Sequence, residues 1–151
     1  MIDTNLKGTF LACKFGITLL NKVKASIINI SSLAGKRGSK NNSVYCASKF
    51  AVNGFTQALS KELGEFNIRV NAVCPVYVDT PGLSKALKSV DSPSKGKNKK
   101  KYLKKFTSDN SAMFRLPLTN EIADTCLYLS SDKSSAITGQ CINVDCGVLP
   151  S

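Results

Sequence analysis

The sequence has no histidine, only 10 acidic residues against 21 basic ones, and no Cys-x-x-Cys pair among its 6 cysteines. Each absence excludes a class of function. Without imidazole the commonest general base is gone, so acid–base chemistry falls to Tyr, Lys, Asp, Glu or Cys. Without paired cysteines or histidine, no structural metal is expected. Cys13, Cys46, Cys74, Cys126, Cys141 and Cys146 sit mostly inside apolar runs. They read as small buried hydrophobes in a reducing compartment. No apolar run approaches the roughly 18 residues that span a membrane. Met1-Ile2-Asp3-Thr4-Asn5 lacks the basic-then-apolar order of a secretory signal. What is present, 151 residues of which 42% are hydrophobic and 21% charged, fits one globular cytoplasmic domain.

The net charge of +11 is unevenly placed. Nine lysines and one acid, Asp91, lie between Lys85 and Lys105, so +8 of the excess is local. A protein that binds nucleic acid spreads basic charge over a face or along a helix. One run with Ser92-Pro93-Ser94 and Lys95-Gly96-Lys97-Asn98 in it reads instead as a solvated, mobile loop over 92–105.

Ile2, Leu6, Phe10, Cys13, Ile17 and Leu20 recur at helical spacing. Ser26-Ile27-Ile28-Asn29-Ile30 then reads as a strand buried on both faces. Ser31 to Ser43, rich in Ser, Gly, Asn and Lys, is a loop. The helical pattern returns from Val44 to Phe66, where Gly54 is a weak point or a place for two helices to approach. Ile68 to Val73 is a second strand, ended by Pro75. A long connection runs from Asp79 to about Leu118, and loops of that length are functional or mobile. Thr119 or Asn120 caps a last helix with the stripe Ile122, Cys126 and Leu129, and Ile142 to Val144 is a third strand. Alternating helices and strands predict an α/β fold with a parallel sheet. Three strands of central character leave one edge unpaired, so the sheet reads as incomplete.

The chemistry concentrates in Tyr45-Cys46-Ala47-Ser48-Lys49. Residues four apart on a helix share a face, so Tyr45 and Lys49 are neighbours. A phenol is a poor base at neutral pH, but an ammonium beside it favours the phenolate and poises it for proton exchange. Ser32 stands just past the first strand's C-terminal end, where open α/β sheets bind ligands. There its hydroxyl could bond a substrate carbonyl oxygen, or merely close a turn, and Ser31 is a rival for the role. Asn5 on the first helix reads either as an N-terminal cap or as a polar group that orders water behind the lysine.

Asn5-Leu6-Lys7-Gly8, Ile27-Ile28-Asn29-Ile30-Ser31-Ser32, the Tyr45 to Lys49 pentapeptide, Arg69-Val70-Asn71-Ala72-Val73-Cys74-Pro75 and Thr138-Gly139-Gln140 with Val144-Asp145 resemble successive motifs of the short-chain dehydrogenase/reductase family. They stand in that family's order and at its spacing. The resemblance implies the C-terminal part of a Rossmann-like, doubly wound parallel sheet. It would have about three strands and three or four helices, and would be incomplete at its N-terminal side. It implies an oxidoreductase that transfers hydride between NAD or NADP and a carbonyl or secondary alcohol. Tyr45 would be the general acid or base, Lys49 its partner and the holder of the nicotinamide ribose. Ser32 would orient the substrate oxygen, and Asn5 would support a water relay. Pro75, Val76, Val78 and Thr80 would flank the nicotinamide. Residues 79–118 would be the substrate lid, and the full-length protein a homo-oligomer, dimer or tetramer, with no membrane partner.

Three departures from the family pattern stand out. No Gly-x-x-x-Gly-x-Gly phosphate loop appears, Val76 stands where glycine usually follows the proline, and Cys146 takes the first position of the usual Gly-Gly after Asp145. The expectation is that the chain alone turns over little, since nothing in it grips the adenosine and pyrophosphate. Two other readings are a truncated, non-catalytic remnant or dimerisation module, and a basic nucleic-acid-binding protein.

Overall fold

The computed structural model describes residues 1–20 and 24–150. A π-helical turn, Asp3–Lys7, runs into helix α1 (Gly8–Leu19). Strand β1 (Ala25–Ile30), helix α2 (Ser43–Leu63) and strand β2 (Ile68–Pro75) follow. Then come helices α3 (Pro81–Leu87), α4 (Lys99–Asn110) and α5 (Thr119–Ser130), and strand β3 (Cys141–Val144). The strands form one parallel sheet in the order β1-β2-β3, with Ile27 opposite Val70 and Val73 opposite Ile142.

Side chains alternate across a strand, and that alternation sorts the layers. Ile27, Ile68 and Val70 point to the face covered by α1 and α2, where they pack with Cys13, Leu59 and Leu63. Ser26 and Arg69 point to the other face, under α5. Ser26 Oγ donates to Leu129 O at 2.9 Å, and the Arg69 guanidinium donates to Leu129 O, Ser131 O and Ile137 O at 2.8, 3.1 and 3.2 Å. Leu129 O and Ser131 O lie at the C-terminal end of α5, so the fixed cation satisfies carbonyls there and complements the helix dipole, while Ile137 O belongs to the loop before β3. Among the described residues no helix is long and apolar enough to cross a membrane.

The structure corrects the expectations in four places. Strand β2 is buried along its whole length, but β1 is only half-buried and its Ile30 is 51% exposed. The reason is position: β2 has a strand on each side, whereas β1 lies at the edge with one neighbour. Helix α5 is capped by neither Thr119 nor Asn120. Leu118 is its N-cap residue, and the Glu121 side chain accepts from Leu118 N at 2.7 Å. Gly54 brings no helix close, since a Cβ there would meet nothing within 4 Å.

The fourth correction is the largest. The connection from Asp79 to Leu118 contains two helices, and the lysine run from Lys99 onward belongs to α4. Lysine is a good helix former. Asn98 caps this helix by accepting from Lys101 N at 3.1 Å, and Leu103 and Thr107 form its buried stripe. Ser92 and Ser94, read as solvated, are buried; Ser94 Oγ donates to Leu87 O and Ser92 Oγ to Ser89 O, both at 2.6 Å. They satisfy carbonyls at and just past the end of α3 and so fold the α3–α4 turn onto the domain.

Candidate active site

The C-terminal tips of β1 and β2, the start of α2 and the α3–α4 segment surround a cavity of about 560 Å³. This is the end of the sheet where α/β folds bind ligands. Ser32, Tyr45, Lys49, Pro75, Val76, Val78 and Thr80 all line it. Asn5 does not; it lies behind α2.

Tyr45 and Lys49 occupy successive turns of α2. The Lys49 ammonium sits 5.9 Å from the centre of the Tyr45 ring, within range of cation–π attraction. Among the described residues it donates one hydrogen bond, to Ile30 O at 2.8 Å. An ammonium has three donors, so two remain for other partners. Burial pushes the Lys49 pKa down, opposed by the charge of Cys74. Ser32 serves its turn as well as facing the cavity. Its Oγ accepts from Ala34 N at 3.1 Å and donates to Pro75 O at 3.4 Å. The second bond is long for O–H···O, so this proton is weakly held. Its rival Ser31 is buried and donates to Lys49 O at 3.2 Å, which makes it a brace between loop and helix.

Asn5 sits in the π-helical turn and donates through Nδ2 to Ser48 Oγ at 3.1 Å. Ser48 in turn donates to Tyr45 O at 2.7 Å. The asparagine is therefore tied to α2 one residue before Lys49. Thr80 caps α3 by accepting from Leu83 N at 3.2 Å.

Several residues that position the site were not singled out from the sequence. Gly35 is pressed against α2, where a Cβ would stand 2.7 Å from Lys49 O. Asn53 donates to Gly35 O at 2.9 Å, so the loop carrying Ser32 is clamped to the helix carrying Tyr45 and Lys49. Tyr77 and Phe106 line the cavity, with ring centres 4.9 Å apart. Tyr77 lay inside the Pro75 to Thr80 segment, and the Tyr102, Leu103, Phe106, Thr107 spacing was a helical signal masked by the lysines. Beneath the floor, the Cys74 thiol lies below its usual range because Cys141 hydrogen-bonds to it and Lys36 lends positive charge, against the effect of burial. Of the departures, Val76 does not adopt a positive φ, whereas Cys146 has φ of 55°. That is the left-handed region where glycine is at home, so the cysteine carries local strain.

The chain matches the family described as Enoyl-(Acyl carrier protein) reductase over residues 1–149. It is 39% identical to 3-oxoacyl-[acyl-carrier-protein] reductase FabG of Chlamydia trachomatis, over 98% of this chain and 55% of that protein. Among solved structures, ligand-free aldohexose dehydrogenase of Thermoplasma acidophilum superposes with a TM-score of 0.85 at 36% identity, over 98% of this chain and 57% of that one. A 4-hydroxyisoleucine dehydrogenase complexed with NADH superposes with a TM-score of 0.80 at 28% identity, over 97% and 57%. The chain thus spans little more than half the length of the relatives it matches. Motif order, parallel sheet and family match agree: the chain belongs to the short-chain dehydrogenase/reductase family.

Proposed function

We propose that this chain carries the proton-transfer and substrate-orienting half of an NAD(P)-dependent oxidoreductase acting on a carbonyl or secondary alcohol. The observation that supports it best is the meeting of Ser32, Tyr45 and Lys49 on one cavity at the carboxyl end of the sheet. The residues present fit the nicotinamide end of the cofactor. Two uncommitted ammonium donors of Lys49 suit ribose hydroxyls, and Pro75, Val76 and Val78 offer an apolar bed for a flat ring. When bound, the reduced cofactor supplies the hydride that reaches the carbonyl carbon.

The chain's own residues do the rest. The Ser32 hydroxyl turns from its long bond to Pro75 O and donates to the substrate oxygen, where negative charge develops. Tyr45 Oη gives its proton to that oxygen, and the product alcohol leaves. The Lys49 ammonium stabilises the phenolate left behind, which regains a proton from solvent. Water ordered behind Lys49 by Asn5 is the route proposed for that proton. In the oxidative direction Tyr45 accepts the alcohol proton instead.

The test is turnover of the cofactor-bound protein with ketones. Removing a positioned acid costs about 10²–10⁴-fold, so Tyr45→Phe should lose that much while melting at the wild-type temperature. A Tyr45→Phe variant that matches wild type removes Tyr45 from the reaction. The 151-residue chain alone should turn over little, because no phosphate-cradling glycine loop occurs in it.

A second reading, a non-catalytic module that associates through its helices, draws on Phe15 and Leu19 of α1 and Phe50 of α2, which are 63%, 84% and 47% exposed. Sedimentation velocity distinguishes the two. A dimer that neither binds nicotinamide nor turns over favours the module.

A further inference from the structure

The α3–α4 segment is strongly basic, yet none of its nine lysines lines the cavity. Its cavity face consists of Leu83, Ala86 and Leu87 from α3, Pro93 from the turn and Phe106 from α4, joined by Tyr77 from the floor. The helices sort their residues, charge outward and apolar inward. Among the described residues, Arg37, Tyr45, Lys49 and Tyr77 are the ionisable side chains that line the cavity. Arg37 is exposed, and Lys49 stands at the reacting end. Arg37 and the Met1 terminus also border the cavity, but neither belongs to the α3–α4 face, which carries no cation.

Tyr77 could offer a polar group there, but its hydroxyl pairs with that of Tyr102 at 3.2 Å. Tyr102 itself does not reach the cavity. The pair leaves Tyr77 presenting ring rather than hydroxyl, with Phe106 edge-on to it at 68°. The wall is also seated firmly. Lys99 bonds both Asp79 and Ser84, at 2.6 and 2.8 Å, and ties the start of α4 to the exit of β2 and to α3.

We infer that the site accepts a carbonyl compound whose body is uncharged and apolar, and rejects one that carries an anionic group a few carbons from the carbonyl. Tyr77, Leu83, Leu87 and Phe106 are the selecting surface, and Tyr102 is a positioning residue that acts through Tyr77. This rests on the carbonyl-reductase reading of the same cavity. Its physical basis is desolvation: a carboxylate laid on the α3–α4 wall loses its water and finds no partner on that face.

Binding tests the inference without turnover, so it is decided separately from the role of Tyr45. The chain has no tryptophan, and its 4 tyrosines, two of them on the cavity, report ligand directly by ultraviolet emission. The probes are 2-heptanone and 6-oxoheptanoate, which share a skeleton and differ by a terminal carboxylate. Wild type should bind the neutral ketone at least about ten-fold more tightly. Equal or tighter binding of the keto acid, or no binding of either, overturns the inference.

Ala86 is exposed on α3, so Ala86→Lys leaves the fold intact and adds the missing cation. It should shift the preference toward 6-oxoheptanoate by about ten-fold, and an unchanged preference contradicts the wall's role. Tyr102→Phe should weaken 2-heptanone several-fold. It should also let Tyr77, whose pKa is raised by burial and by Tyr102, ionise at lower pH in an ultraviolet titration. If neither changes, Tyr102 does not position Tyr77.

Discussion

The floor of the cavity and its wall are held in different ways. The floor, made by the tips of β1 and β2 and the start of α2, is braced by side chains bonded to backbone carbonyls and by one glycine packed against backbone. Lys49 Nζ bonds Ile30 O, Ser31 Oγ bonds Lys49 O, Asn53 Nδ2 bonds Gly35 O, and Gly35 lies against the helix itself. The wall, made by α3 and α4, is held mainly by side chain on side chain, the Tyr77–Tyr102 hydroxyls and the Lys99–Asp79 ion pair, with Ser94 Oγ on Leu87 O. A glycine pressed against backbone tolerates no larger residue, whereas a pair of touching side chains can be exchanged together. A site built this way can keep its proton chemistry fixed while its substrate surface varies.

The comparison breaks hardest at Gly35. A Cβ there would overlap Lys49 O, and backbone on both sides must move. Gly35→Ala should cost about 1–3 kcal/mol in urea denaturation, the range of overpacking, and displace Ser32 from the cavity. A variant as stable as wild type would mean that the floor is not clamped here.

Ser94→Ala probes the wall. Its buried hydroxyl donates to Leu87 O at 2.6 Å, and its loss should cost about 1 kcal/mol. Hydrogen exchange should show α3 and α4 amides opening faster while β2 stays protected. Equal acceleration of both would erase the distinction.

Gly54→Ala sharpens the comparison from the floor side. This glycine lies mid-helix in α2 with open space where a Cβ would go, so alanine should stabilise by about 0.5–1 kcal/mol without altering ligand preference. A loss of stability would show that another surface covers it.

Glu121 gives the smallest effect and lies outside both regions. Arg115 grips its carboxylate through both nitrogens at 2.7 Å, and with the Leu118 N–H holds its pKa down to about 2. A carboxyl whose pKa is depressed on folding stabilises the fold above its ordinary range near 4.5, and that contribution fades as pH falls through about 2. Glu121→Gln should therefore lower the melting temperature slightly at pH 7 and leave it unchanged near pH 2. A deficit that persists at acid pH would assign the effect to packing.

The floor was legible in the sequence because its signals are local. Tyr45 and Lys49 are one helical turn apart, Ser32 follows a β-branched run, and Pro75 ends one. The three parallel strands followed from the same short patterns. The wall was not legible, because its contacts join residues distant in sequence. Tyr77 meets Tyr102 across 25 positions, and nothing local tells that Ser94 turns inward to Leu87 O. The lysines dominated the composition of 92–105 and concealed the four-residue spacing of Tyr102 and Phe106. Gly35 was visible only as one glycine in a loop; its contact with Lys49 O requires the fold.

The most direct measurement is a crystal structure of this chain with reduced nicotinamide mononucleotide, which needs no adenosine grip, and 2-heptanone. The account predicts the ketone oxygen within hydrogen-bond distance of both Tyr45 Oη and Ser32 Oγ, with Lys49 on the ribose. A ketone bound in the same cavity with its oxygen turned away from Tyr45 would contradict it.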